Sequence, residues 1–339
     1  MVNDIRLLLA NCGTPINPAS KLFQSAIAHI FSHLESKMKD TKAILNKILQ
    51  IKDQFPEGLP VNAINLGCDV IKMYPNIDQE DGLAAIRRWL QLYPNPDDLP
   101  TELILDLGKL CVKENPCEFL GRYFCPNSGT ATGPPHACDF ADIFMGELDK
   151  LVVDGLVDRG VENTGWTLYR DDAWTVLLNG LDDAPVVENL LQGLHPNIKW
   201  EFNPRGPTVP PHINPDGSIV DRSVLEHLDL TIHMIEGNLE TDVFAKDIPI
   251  YINKKSCHPP FVFSAVCQSV AVRLRTNCSL DRFLTPRIEE YTNYLLASDY
   301  SREEVEEVME MAKNMDRNNF IKRNRNNRRR TQKKYFLCS

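Results

Sequence analysis

Residues 165–178 read Gly-Trp-Thr-Leu-Tyr-Arg-Asp-Asp-Ala-Trp-Thr-Val-Leu-Leu. Two β-rich runs, Trp166-Thr167-Leu168 and residues 174–178, flank Tyr169-Arg170-Asp171-Asp172-Ala173. That pattern outlines a hairpin with carboxylates at its tip. Neighbouring aspartates repel each other, and an ionised carboxylate at the end of a buried strand is costly unless it is paired or metal-bound. A matching carboxylate stands upstream: residues 61–74 read as a buried strand running into a turn, with Gly67-Cys68-Asp69-Val70 at its end. Magnesium answers both costs because it takes hard oxygen ligands. Two such ions about 4 Å apart are the common solution for in-line nucleotidyl transfer. The dipeptide alone decides little, since Asp97-Asp98 and Asp182-Asp183 repeat it and read as loop or helix-start residues.

The remaining pattern is mixed α and β. An apolar run at 5–10 leads to a Gly-Thr-Pro turn at 13–15, and an amphipathic helix is expected from about 20 to 50. Helices are expected at 79–92 and 101–114, a strand at 118–125, and a helix from Pro134-Pro135 to about 153. A helix at 184–194 and a strand at 198–202 follow, then a hairpin of 228–235 and 239–244 turning at Glu236-Gly237-Asn238. The last third reads as helices at 261–275 and 282–297, with a third opened by the capping box Ser301-Arg302-Glu303-Glu304.

Bulk properties bound the class. The 339 residues are 43% hydrophobic, enough for a sizeable core in two or three lobes. No window approaches the roughly 20 apolar residues of a membrane span, and no signal-peptide pattern opens the chain. The expectation is a soluble intracellular protein with no membrane partner, placed in the nucleus. Ten scattered cysteines contain no CxxC pair, which argues for reduced, mostly buried thiols over a zinc site. His258 beside Cys257 supplies too few ligands for zinc and reads as structural. The net charge of −9 is uneven: residues 317–334 hold nine Lys or Arg and no acid, leaving −18 on the rest. A basic tail on an acidic body suits either polyanion contact or a solvated tail.

The order of these segments carries a specific resemblance. Residues 67–77, Gly-Cys-Asp-Val-Ile-Lys-Met-Tyr-Pro-Asn-Ile, resemble the first palm motif of reverse transcriptases. Residues 129–135, Gly-Thr-Ala-Thr-Gly-Pro-Pro, resemble the second, and 137–145 are similar to the helix that follows it in Penelope-like retroelements. Tyr169-Arg170-Asp171-Asp172 matches the Tyr-x-Asp-Asp signature. His195-Pro196-Asn197-Ile198-Lys199-Trp200 and 228–232 resemble the fourth motif and the primer grip, while 256–259 and 273–279 look like thumb landmarks. The resemblance spans roughly Arg6 to Glu306.

It implies an α+β right-hand polymerase: partial fingers at 1–60, an antiparallel-sheet palm at 61–244 with a fingers-like insertion at about 94–125, a helical thumb at 245–315 and a basic tail at 316–339. It implies an RNA-directed DNA polymerase that adds deoxynucleotides to a DNA primer on an RNA template. Asp69, Asp171 and Asp172, with the Val70 backbone, would hold two Mg²⁺, or Mn²⁺ in their place. Tyr74 would crowd a ribose 2′-hydroxyl, and Gly133 would let the backbone approach the nucleotide. Lys199 would protonate the leaving pyrophosphate, or else is a strand-edge lysine facing water. Arg6 would fork onto the triphosphate, or else is an exposed terminal arginine. On this alignment the upstream fingers lysine and the C-terminal GIY-YIG nuclease lie outside the chain, Thr132 replaces methionine, and Pro75 replaces threonine or serine. An inactive retroelement fragment that at most binds nucleic acid is the alternative. A two-metal nuclease ranks below both, because it explains neither the Tyr74 spacing nor the motif order.

Overall fold

The computed structural model describes residues 13–213, 219–220 and 222–321. Along the chain run α1 (Asn17–Ile27), α2 (Thr41–Gln54), β1 (Ile64–Val70), the one-turn α3 (Met73–Asn76), α4 (Gln79–Leu92) and α5 (Thr101–Val112). Next come β2 (Cys117–Phe119), β3 (Arg122–Phe124), α6 (Ala137–Asp158), β4 (Thr167–Tyr169), β5 (Asp172–Leu177), α7 (Ala184–Gly193) and β6 (Trp200–Arg205). The remainder is β7 (His212–Ile213), β8 (Ile219–Val220), β9 (Val224–His227), β10 (Leu230–Ile235), β11 (Asn238–Val243), α8 (Pro260–Asn277), α9 (Asp281–Ala297), α10 (Arg302–Asn314) and α11 (Arg317–Ile321).

Packing divides the described residues into two compact units, one drawn from 13–39 with 60–222 and one from 40–59 with 223–321. The first is built on an antiparallel sheet of order β4-β5-β1-β6. Its central strand β1 is buried at every position except Asp69. That is the pattern of a strand covered on both faces, with one carboxylate at its open end. Buried Asn65 accepts from the Trp174 indole at 3.1 Å, a polar tie between β1 and β5 that resists a register slip. The long α6 lays Phe140, Phe144, Leu148 and Val152 against the core at four-residue intervals. Its approach to α4 is so close that a Cβ at Gly82 would stand 2.2 Å from the Phe140 ring.

In the second unit, α8, α9 and α10 enclose Leu274, Tyr291, Leu295, Val305 and Met309 beside a sheet of order β11-β10-β9. By packing, this sheet, read from sequence as palm, goes with the helical unit. The Ser301 hydroxyl caps α10 by accepting from the Glu304 N–H, as its sequence signature implies.

Two elements differ from their expected form. The single helix at 20–50 is instead α1, a 3₁₀ segment (Ala28–His33) and α2. The break exists because 36–38 turns extended and borders β4: Leu168 N–H donates to Ser36 O at 2.9 Å and Met38 N–H to Leu168 O at 2.8 Å. That covers an otherwise open sheet edge, and Asp40 then caps α2. The strand at 118–125 is a hairpin of β2 and β3. Leu120 and Gly121 both take positive φ, 52° and 73°, the signature of a type I′ turn that a leucine in the first position disguises.

Candidate active site

The open end of the first sheet is fixed by strand register. Asp69 lies directly opposite Asp172 on β5 and opposite Glu201 on β6. Directly paired residues of antiparallel strands project to the same face, so three carboxylates from three strands share one side of the sheet. Asp171 joins them through the turn, where its carbonyl accepts from the Val70 N–H at 2.8 Å. Tyr169 and Asp172 are paired, leaving a two-residue loop of Arg170 and Asp171. Arg170 adopts φ 58°, a conformation costing a side-chain-bearing residue of order 1–3 kcal/mol. The fold holds a strained turn in order to present acids together.

The electrostatics agree. Burial, then the charges of Asp171, Asp172 and Glu201, raise the Asp69 carboxyl to about 6, against a smaller opposing bond from the Val70 backbone. Asp69 nonetheless reaches solvent at the strand end. Such a cluster is stabilised by a cation, and oxygen-only donors suit Mg²⁺ or Mn²⁺. Among the described residues, however, no three carboxylate, imidazole or thiol groups converge into a set able to grip an ion as they stand.

A second layer lies beside the acids. Tyr74, in α3, is half-buried and its hydroxyl meets the Cys138 sulfur at 3.4 Å. Burial first, then Cys138, hold that phenol protonated well above its ordinary range. The loop before α6 clamps the same turn: Thr130 N–H donates to Tyr74 O at 2.9 Å. A Cβ at Gly129 would sit 2.6 Å from Pro75 Cα, and the residue's φ of 70° likewise requires glycine. Gly133 has φ 122°, again a glycine conformation. Buried Gln79 ties this loop down, its amide donating to Gly129 O at 2.9 Å and Val112 O at 3.3 Å. The charge of Arg170 reaches Tyr74 and Asp142, which links the acidic turn to the start of α6.

The structure therefore brings together Asp69, Asp171 and Asp172, with the Val70 backbone between them and the Val70 side chain buried. Tyr74 belongs to the adjoining layer, and Gly133 lies in the loop that leads into α6. Lys199 is exposed just before β6; its carbonyl accepts from the Ile71 N–H at 2.9 Å, and two-residue periodicity puts it on the same face as Glu201. Arg6 lies outside the described residues, as do tail residues 322–339. Arg317, counted in the basic tail, is used internally, donating to Thr276 O and Thr241 Oγ1 at 3.0 Å each. The eight described cysteines are free, four of them buried. Sequence reading missed Glu201 and Gln79. Glu201 becomes visible only from the β1–β6 register, and Gln79 resembles any polar residue opening a helix.

No protein-family model and no curated protein sequence matches the chain. Solved structures do. Telomerase from Candida albicans, in complex with a fragment of telomeric RNA, aligns over 89% of this chain and 48% of its own, at TM-score 0.60 and 11% identity. Apo telomerase from Candida tropicalis aligns over 90% and 52%, at TM-score 0.53 and 12% identity. The chain has a right-hand polymerase fold. The RNA-dependent RNA polymerase of BmCPV at its elongation state aligns over 78% of this chain and 23% of its own, at TM-score 0.50 and 8% identity. The polymerase-fold chain thus spans about half the length of the telomerases it matches. The fold is one related to reverse transcriptases, and among the described residues no helix is long and apolar enough to cross a membrane.

Proposed function

We propose that this chain is the core of an RNA-directed DNA polymerase, similar to those of Penelope-like retroelements, that extends a DNA primer on an RNA template. The observation that carries the reading is the register of Asp69 opposite Asp172, with the Asp171 carbonyl bonded to the Val70 N–H. Asp69, Asp171, Asp172 and the Val70 carbonyl would hold two divalent ions, Mg²⁺ or Mn²⁺. Such ions supply charge neutralisation at the transferring phosphate and a more acidic primer hydroxyl. The protein's own residues do the rest. The strained Arg170 turn keeps the acids on one face. Tyr74, held neutral and clamped by the Gly129 loop, presents an aromatic edge against a 2′-hydroxyl. Gly133 leaves room for a base pair, and Lys199 stands on the acidic face as a proton donor to the leaving pyrophosphate. Palm and thumb functions fall to the first and second units, and residues 322–334 add sequence-independent phosphate contacts.

The test is primer extension by the full chain on an RNA template with deoxynucleotides and Mg²⁺. Templated, chelator-sensitive extension is expected, and extension that ignores Asp171→Asn would reject the site. One observation favours a second reading, an inactive nucleic-acid binder: no described cluster is gathered into an ion-gripping set. Folded protein that binds primer–template but never extends it would select that reading.

A further inference from the structure

Between α5 and α6 the chain makes an excursion that the core of its unit does not use. The buried Gln79 amide, at the start of α4, donates to Val112 O at 3.3 Å, Pro126 O at 3.4 Å and Gly129 O at 2.9 Å. Residues 113–125 therefore leave and return at one point, beside the Gly129 loop whose Thr130 N–H is bonded to Tyr74 O. Between those ends stands the β2–β3 hairpin, a two-stranded sheet with no third strand among the described residues.

The hairpin is built against its own stability. A lone pair of strands is marginal in water, and Leu120 at its tip holds a positive φ of 52°, which costs a side-chain-bearing residue free energy. Every position of β3 is exposed. Leu120, Tyr123 and Phe124 are 87%, 76% and 49% exposed, so three large apolar side chains crowd into five residues of surface. Such clusters mark binding surfaces. Their distribution selects the occupant. The register pairs Glu118 with Tyr123 and Cys117 with Phe124. Alternation then puts Arg122 and Phe124 on one face and Tyr123 on the other. A surface for docking a protein gathers its apolar residues on one side. A narrow ribbon with a ring on each face, an apolar tip and an arginine suits unpaired bases, which stack on aromatic side chains and on guanidinium planes.

We propose that the β2–β3 hairpin is a stacking arm for single-stranded nucleic acid, which on the polymerase reading is the unpaired template strand. The identity of that strand rests on the polymerase reading. The stacking does not, because none of the arm's residues belongs to the strand-end acids. With Glu118 beside it and Arg122 as its one cation, the arm binds chiefly through bases and only slightly through phosphates.

Two probes test this with the full chain: a blunt RNA–DNA duplex, and the same duplex with an unpaired RNA 5′ extension carrying 2-aminopurine. Fluorescence anisotropy should show about tenfold tighter binding of the extended duplex, with quenching of the 2-aminopurine. Tyr123→Ser combined with Phe124→Ser should remove both the preference and the quenching while the blunt duplex binds as before. An unchanged urea midpoint would verify the fold. Leu120→Asn, whose side chain tolerates the left-handed turn, should reduce the preference several-fold. Arg122→Gln should flatten the slope of log affinity against log salt by about 0.7, the value of one single-strand phosphate contact. A parent that binds both duplexes alike or neither, or a preference that survives the double substitution, overturns the arm. Self-association lost in the double variant, with no preference for the extension, assigns the surface to a second copy and equally overturns it. A preference without primer extension keeps the arm and rejects the polymerase reading; extension without a preference does the reverse.

Discussion

Two carboxylates, one in each unit, show how this molecule treats acids differently. Asp242, on β11, is buried and fully answered from within: Arg287 reaches it through Nε at 3.1 Å and Nη2 at 3.0 Å, and Cys278 approaches at 3.3 Å. Asp69, at the end of β1, meets acids where Asp242 meets an arginine, and the charges weighing most on it come from Asp171, Asp172 and Glu201. Both sit on antiparallel sheets. A carboxylate serving architecture receives its counter-charge from the chain, as desolvation demands. One left among like charges at a solvent-open strand end stores an attraction for a cation.

The largest expected effect breaks the comparison on the acidic side. Asp171→Asn should reduce nucleotide addition roughly 10³-fold or more, because several kcal/mol of transition-state stabilisation depend on the complete acid set. Unfolding by urea should meanwhile show a fold at least as stable as the parent's. The mirror experiment is Arg287→Ala, which leaves Asp242 buried without its partner. Arg287 is partly solvent-exposed, so the loss should be about 2–3 kcal/mol, less than for a wholly buried pair. Replacing both residues, as Asp242→Asn with Arg287→Met, should recover part of it. Equal stability losses from Asp171→Asn and Arg287→Ala would erase the distinction between the two carboxylates.

Tyr74→Val sharpens the account at the nucleotide. Ribonucleotide use should rise about tenfold relative to deoxynucleotide use, an effect of about 1.4 kcal/mol, with deoxynucleotide addition changed far less than by Asp171→Asn. Competition assays with labelled ribo- and deoxynucleotides check it, and an unchanged sugar preference removes Tyr74 from the role. The smallest effect is thermal. Because the folded state raises Asp69 above its ordinary value of about 4, its contribution favours folding at low pH and turns unfavourable as pH climbs toward 6. In metal-free buffer the melting temperature of Asp69→Asn should therefore exceed that of the parent by about 2–4 °C at neutral pH. The gap should close below about pH 4. A gap that widens on acidification would have the wrong sign.

How much of this was legible beforehand differs by element. The hairpin of β4 and β5 and the buried β1 could be read because apolar and aromatic runs stop abruptly at Asp69 and Asp171, and those stops are local. Helix α4 followed from its start signals and the Pro94-Asn95-Pro96 stretch that closes it, and α10 from its capping box. The break between α1 and α2 was hidden because its cause is non-local: residues 36–38 leave the helix to bond a strand 130 positions away. Glu201 was hidden for the same reason, since its membership of the acidic face depends on β6 pairing with β1 in one register. The β2–β3 turn was missed because leucine at φ 52° is locally unfavourable and only its glycine neighbour betrays it. Local chemistry announced the acids, and long-range pairing decided which of them meet.

The proposed function requires that the acid cluster at the end of β1 be completed by divalent cations. Titrating Mn²⁺ into the full chain, with free ion followed by electron paramagnetic resonance, tests it independently of any polymerase assay. The account predicts uptake of about two ions in the presence of nucleotide, with loss of that uptake in the Asp69→Asn/Asp171→Asn double variant and none in Asp242→Asn. Undiminished Mn²⁺ uptake by the double variant, or no uptake by the folded parent, would contradict it.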